Sequence, residues 1–165
     1  HPCWVCTKGR SAREMKIFSL PAKHGVQQSD WFMILLDTHV LVWLDEASLR
    51  LGAKSVGIID TAFQSGKVAV SAISFWEVGM LIRKRRIRLE MDLRIWRDDF
   101  MRQGLIELPI SGDIGIRAAS LEKFHGDPAD RLIVATALHH TATLMTADER
   151  ILSSEFSVKR LDARL

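Results

Sequence analysis

The sequence predicts an α/β fold, with a mainly parallel central sheet flanked by helices, on three observations. Short apolar runs recur at Met33-Ile34-Leu35-Leu36, Val68-Ala69-Val70, Leu105 to Leu108 and Thr143 to Thr146. The stretches between them carry helical periodicity and are long enough for right-handed crossovers between parallel strands. The first run is apolar throughout instead of alternating, which is the pattern of a strand covered on both faces. At 165 residues the chain holds one domain with a substantial core and leaves no room for two of ordinary size.

The first strand ends at Asp37, and a short helix through Val40-Leu41-Val42-Trp43-Leu44 follows. A second helix is expected from about Lys54 to Gln64, closed by Ser65-Gly66, because glycine accepts the left-handed conformation that ends helices. After the strand at residues 68–70, Ser74 to about Arg85 reads as a helix whose broad apolar face is built by Phe75, Val78, Met80, Leu81 and Ile82. Another runs from about Asp92 to Gln103 and stops at Gly104. The strand ending at Leu108 precedes helices over Ser111–Phe124 and Asp127–His140, then the strand at 143–146; Val158-Lys159-Arg160-Leu161 is a candidate fifth strand.

Residues 1–32 show no sustained period and read as a poorly ordered N-terminal tail, non-native or translated from upstream, ahead of a domain spanning 33–165. They lack the basic start and apolar block of a signal peptide. Both cysteines lie there, at Cys3 and Cys6, with no second pair to complete a zinc site. No apolar run is long enough to span a bilayer, so cytoplasmic residence is the expectation. The composition, 47% hydrophobic and 26% charged, is that of a globular protein, and a net charge of +3 permits a polyanionic partner without requiring one.

Four carboxylates carry the chemical argument. In open parallel sheets ligands collect beyond the carboxyl ends of the strands. Asp37 follows the first strand directly, and Asp148 stands two residues past the fourth, after Thr146-Ala147. Glu77 falls in the first turn of the helix opened by Ser74, and Asp130 in the first turn of the helix opened by Asp127-Pro128. All four are expected at one edge, where mutual repulsion raises their pKa values unless a cation neutralises them. Oxygen donors alone suit Mg²⁺ or Mn²⁺ over zinc, and such a site matches phosphodiester hydrolysis. Each position also has a structural reading: Ser74-x-x-Glu77 fits a capping box, Asp127 and Asp130 an ordinary helix start, Asp37 and Asp148 helix caps.

Read as motifs, these stretches resemble the PIN-domain ribonucleases, and especially the VapC-type toxins with FitB-like features. The resemblance rests on Met33 to His39, Ser71 to Glu77, Phe124 to Ala137 and Thr143 to Arg150, in that order. It implies an acidic site of Asp37, Glu77, Asp130 and Asp148, with Asp37, Asp130 and Asp148 as metal ligands, Thr146 supporting them and Asp127 structural. It further implies an RNA substrate, Mg²⁺ or Mn²⁺ as cofactor, a homodimer, and a cognate antitoxin protein as inhibitor. The alternatives are a catalytically silent PIN-like module acting through a protein partner, and an aspartyl-phosphate hydrolase. The second is disfavoured because His39 stands where a second acid is wanted.

Arg83-Lys84-Arg85-Arg86 concentrates positive charge at the end of the Glu77 helix, either as a partner of the helix dipole or as an RNA-contacting patch. Trp43, Trp76 and Trp96 have apolar neighbours that point to core or dimer packing over base stacking. The histidines have no acidic partner at fixed spacing and stand outside the expected mechanism.

Overall fold

The protein is described by a computed structural model covering residues 33–122, 124 and 127–165. The expected tail at 1–32 and its two cysteines lie outside the described residues, as do His125 and Gly126. Five short strands, β1 (Ile34–Leu36), β2 (Val68–Ser71), β3 (Ile106–Leu108), β4 (Thr143–Thr146) and β5 (Arg160–Asp162), form one sheet in the order β3-β2-β1-β4-β5. Every pairing is parallel. The chain leaves β1 for β2 and β3 on one side and returns to β4 and β5 on the other. The connections after β1 and β4 therefore diverge, which is the position where open parallel sheets form their ligand crevice.

Alternate residues of each strand feed different faces of the sheet. Ile34, Leu36, Val68, Val70 and Met145 pack with α1 (Thr38–Asp45), α2 (Ala53–Gln64), α3 (Ala72–Arg83) and α4 (Leu93–Arg102). Leu35, Ala69 and Leu144 pack instead with Ile133, Val134 and Ala137 of α6 (Pro128–His139) and with Ile151 of α7 (Glu149–Leu152), while α5 (Gly112–Ala119) lies outside α6. β1 has all three residues buried, as its unbroken apolar run requires. Gly66, at φ 62°, and Gly104, at φ 99°, end α2 and α4 in the left-handed region, as their positions suggest.

Three helix limits differ from the sequence expectation. The Glu77 helix begins at Ala72, directly on the end of β2 with Ser71 as its N-cap, so Ser74 is an interior position and the capping box does not form. Glu77 consequently stands in the second turn instead of the first. The helix expected to reach Phe124 stops at Ala119, where the guanidinium of Arg131 takes the carbonyls of its last two residues and of the loop beyond: Nε donates to Ala118 O at 3.0 Å, Nη2 to Ala119 O at 3.1 Å and Leu121 O at 2.8 Å, and Nη1 to Phe124 O at 3.2 Å. The helix expected at Val40 already starts at Thr38, with Asp37 as its N-cap. The last strand is shifted from 158–161 to Arg160–Asp162. Of the tryptophans, Trp96 is a core residue whose Nε1 donates to Asp45 Oδ2 at 2.8 Å. Trp43 is only half-buried, and Trp76 is 55% exposed.

Candidate active site

Register brings the ends of β1 and β4 together. Leu36 pairs with Met145, so Asp37 and Thr146 emerge side by side at the carboxyl edge. Asp37 is 2% exposed, and its two oxygens have different tasks. Oδ1 accepts from the Thr38 N–H at 2.7 Å, and Oδ2 accepts from the Thr146 hydroxyl at 2.6 Å. The Thr146 oxygen in turn accepts from the Asp148 N–H at 3.0 Å. A single hydroxyl thus couples the acid after β1 to the loop carrying the acid after β4. Asp148 caps α7 by accepting from the Arg150 N–H at 2.7 Å, as its cap reading anticipated.

Glu77 and Asp130 reach the same edge from helices. Asp127 caps α6, accepting from the Ala129 N–H at 2.9 Å, and Pro128 follows at the first helical position, which holds Asp130 in the first turn. The Arg131 clamp ties this turn to the end of α5 and limits how far Asp130 can drift. Inside α3, Glu77 Oε2 is buried without a hydrogen-bond partner among the described residues. The Thr38 and Ser74 hydroxyls are in the same condition.

The acids feel one another. Burial raises the Asp130 carboxyl most, Asp37, Asp127, Glu77 and Asp148 each add to it, and together they push it from 3.8 to about 8. Burial also raises Asp37, opposed by nearby His39 and by its hydrogen bonds from Thr146 and Thr38, with Asp148 adding to the rise. Glu77 is raised first by burial and further by Asp37 and Asp127, against the nearby Thr38 hydroxyl and His39. All four sequence-predicted acids therefore share one electrostatic environment, and Asp127 belongs to it in addition to capping α6. Among the described residues, no three acidic, histidine or cysteine side chains converge as a finished metal cage.

His39 is the residue that sequence reasoning set aside. Exposed on α1 two positions after Asp37, it acts on both Asp37 and Glu77. The signal was its i+2 placement behind a strand-terminal acid, but only the fold shows that it also acts on Glu77, far along the chain. Arg83, Lys84, Arg85 and Arg86 are all exposed at the end of α3 and in the turn beyond it, where Arg85 adopts φ 55° at a position usually held by glycine.

This combination of sheet order, crevice and acidic edge is that of a nuclease-type α/β domain, and the chain belongs to the PIN-domain family, whose profile matches residues 34–156. It is 35% identical over 121 residues to Ribonuclease VapC22 of Mycobacterium tuberculosis, an alignment that takes in 73% of this chain and 90% of the relative. Two solved structures share the fold. VapBC2 from Rickettsia felis, bound to a promoter DNA fragment, superposes with TM-score 0.60 at 15% identity, over 79% of this chain and 99% of that one. FitAcB from Neisseria gonorrhoeae superposes with TM-score 0.54 at 20% identity, over 79% and 98%. Ribonucleases of the PIN family generally depend on a divalent metal ion. No helix among the described residues is long and apolar enough to cross a membrane.

Proposed function

We propose that the protein is a Mg²⁺- or Mn²⁺-dependent endoribonuclease, the toxin of a type II toxin–antitoxin pair, with RNA as substrate, a cognate antitoxin protein as inhibitor and a homodimer as the active form. The observation that carries the reading is the acidic edge itself: Asp130 raised to about 8 by burial and by Asp37, Asp127, Glu77 and Asp148, beside an unpartnered buried oxygen on Glu77. A metal-free fold leaves that repulsion uncompensated, and a hard divalent cation with oxygen ligands relieves it. The homology to Ribonuclease VapC22 supports RNA as substrate.

In this reading Asp37, Asp130 and Asp148 hold the ion. When bound, it neutralises the acids, polarises the phosphate and acidifies water. The remaining chemistry belongs to the chain. Thr146 fixes the rotamer of Asp37 through its 2.6 Å hydrogen bond and, by accepting from the Asp148 N–H, fixes the loop bearing the third acid. Glu77, with one oxygen unpartnered, accepts the proton of the attacking water. Arg83, Lys84, Arg85 and Arg86 draw the RNA backbone toward the acids.

The test is thermal unfolding with and without millimolar Mn²⁺. A ligand that binds only the native state raises its unfolding free energy. The melting temperature is expected to rise in the parent and to rise much less in Asp37→Asn and Asp130→Asn. A parent indifferent to Mn²⁺ contradicts the metal site and favours a catalytically silent binding module.

A further inference from the structure

A groove of about 380 Å³ opens between α1 and the turn after α3. Its apolar wall is formed by Val42, Trp43, Leu81 and Ile87, and its rim carries His39, Glu46, Arg50 and Arg86. We infer that this groove seats one unpaired nucleobase of the substrate, stacked on Trp43, with Arg86 on a flanking phosphate. The inference rests on the ribonuclease reading above and assigns the site a base-recognition pocket.

Three observations favour a nucleotide. The first is position. His39 lines the groove and stands in the first turn of α1, two residues after its N-cap Asp37, so the groove begins beside the acidic edge. A base seated there belongs to the strand that leads to the acidic edge. The second is size and shape: 380 Å³ lies at the small-molecule end of ligand pockets and suits one flat heterocycle better than a helix 10–12 Å across.

The third observation is charge and preorganisation. Arg50 holds its guanidinium 5.9 Å from the centroid of the Trp43 ring, which fixes the indole at the mouth of the groove before any ligand arrives. Arg86 continues into the exposed run Arg83, Lys84 and Arg85, so the rim is basic on the side away from the acids. An apolar wall under a cationic rim is how sequence-tolerant single-strand sites are built: the π-face takes the base and the cations take the backbone. Glu46 is the acid in the groove's lining, and Arg50 acts on it from the same rim.

The experiment uses the full chain carrying Asp130→Asn, to prevent cleavage, and fluorescent single-stranded RNA decamers of mixed sequence. Trp43→Leu is expected to weaken RNA binding about tenfold with an unchanged salt slope, and Trp43→Phe to restore most of the loss. A decamer lacking all its bases is expected to be insensitive to Trp43→Leu. Arg86→Gln, at an exposed position that leaves the fold intact, is expected to flatten the slope of log affinity against log salt by about 0.7. Equal RNA affinity for the parent and for folded Trp43→Leu and Arg86→Gln overturns the pocket while leaving the nuclease reading standing, provided that the chain without Asp130→Asn still cuts RNA. A chain that neither binds nor cuts RNA overturns both. If Trp43→Leu abolishes binding of a protein partner and leaves RNA affinity unchanged, the groove is a protein-docking surface and the proposal fails.

Discussion

The Thr146 hydroxyl donates a 2.6 Å hydrogen bond to Oδ2 of Asp37 across 109 residues of sequence, and both residues are fully or nearly fully buried. Parallel pairing of β1 with β4 is what makes the contact possible, since it delivers both strand ends to one edge in register. Thr146→Val removes the donor and leaves a buried carboxylate oxygen unsatisfied. The expected cost is about 1.5–3 kcal/mol in urea denaturation, with Thr146→Ser recovering most of it. A valine variant as stable as the parent removes the hydroxyl from any part in holding Asp37.

The acidic edge sets a pH dependence with a definite sign. Asp37, Glu77 and Asp130 all have folded-state values above their ordinary ones. Their contribution to stability is therefore fully present below the ordinary carboxyl value and is lost as pH rises, through about 8 for Asp130. With chelator present, the melting temperature is expected to fall between about pH 5 and pH 8, and Asp130→Asn to reduce that fall. Saturating Mn²⁺ is expected to oppose it, with protons released on binding. Melting curves across that range, with EDTA and with Mn²⁺, check both signs.

Arg131 is the structural counterpart of the site. Its guanidinium satisfies four carbonyls between Ala118 and Phe124, ties α5 to the first turn of α6 and so sets the position of Asp130. Lysine keeps the charge but not the planar fork. Arg131→Lys is expected to lose about 2–3 kcal/mol in chemical denaturation and to weaken Mn²⁺ affinity as Asp130 loosens. Unchanged Mn²⁺ affinity in a folded variant separates the clamp from the site.

The basic run gives a quantitative expectation. Replacing Arg83 and Lys84 with Gln is expected to flatten the salt dependence of single-stranded RNA binding by about 1.4 in the log–log slope, two cations at about 0.7 each. An unchanged slope assigns these side chains to the helix end alone.

Much of this was legible in the sequence, for reasons tied to particular residues. Buried strands such as Ile34–Leu36 announce themselves as unbroken apolar runs, and a carboxylate immediately after one, as with Asp37, has only the sheet edge to occupy. Asp127-Pro128 marked the start of α6 because proline fits the first helical turn and aspartate caps it. What misled was a local rule applied where tertiary structure decides. Ser74 and Glu77 have capping-box spacing, but β2 passes into α3 without a loop and buries Ser74 inside the helix. The end of α5 depends on an arginine in the next helix, 13 residues from Ala118, and no local signal near Ala119 records it. His39 and Trp43 are ordinary helical residues in sequence. Only the packing of α1 against the end of α3 shows that both line a groove beside the acids.

Cleavage of RNA by the purified protein tests the central claim most directly. With Mn²⁺ present, the parent is expected to cut a mixed single-stranded RNA substrate, EDTA to stop the reaction, and Asp37→Asn to reduce the rate by at least about a hundredfold while its metal-free fold persists. RNA left intact by a folded, Mn²⁺-loaded parent, or cut equally well by Asp37→Asn, contradicts the account.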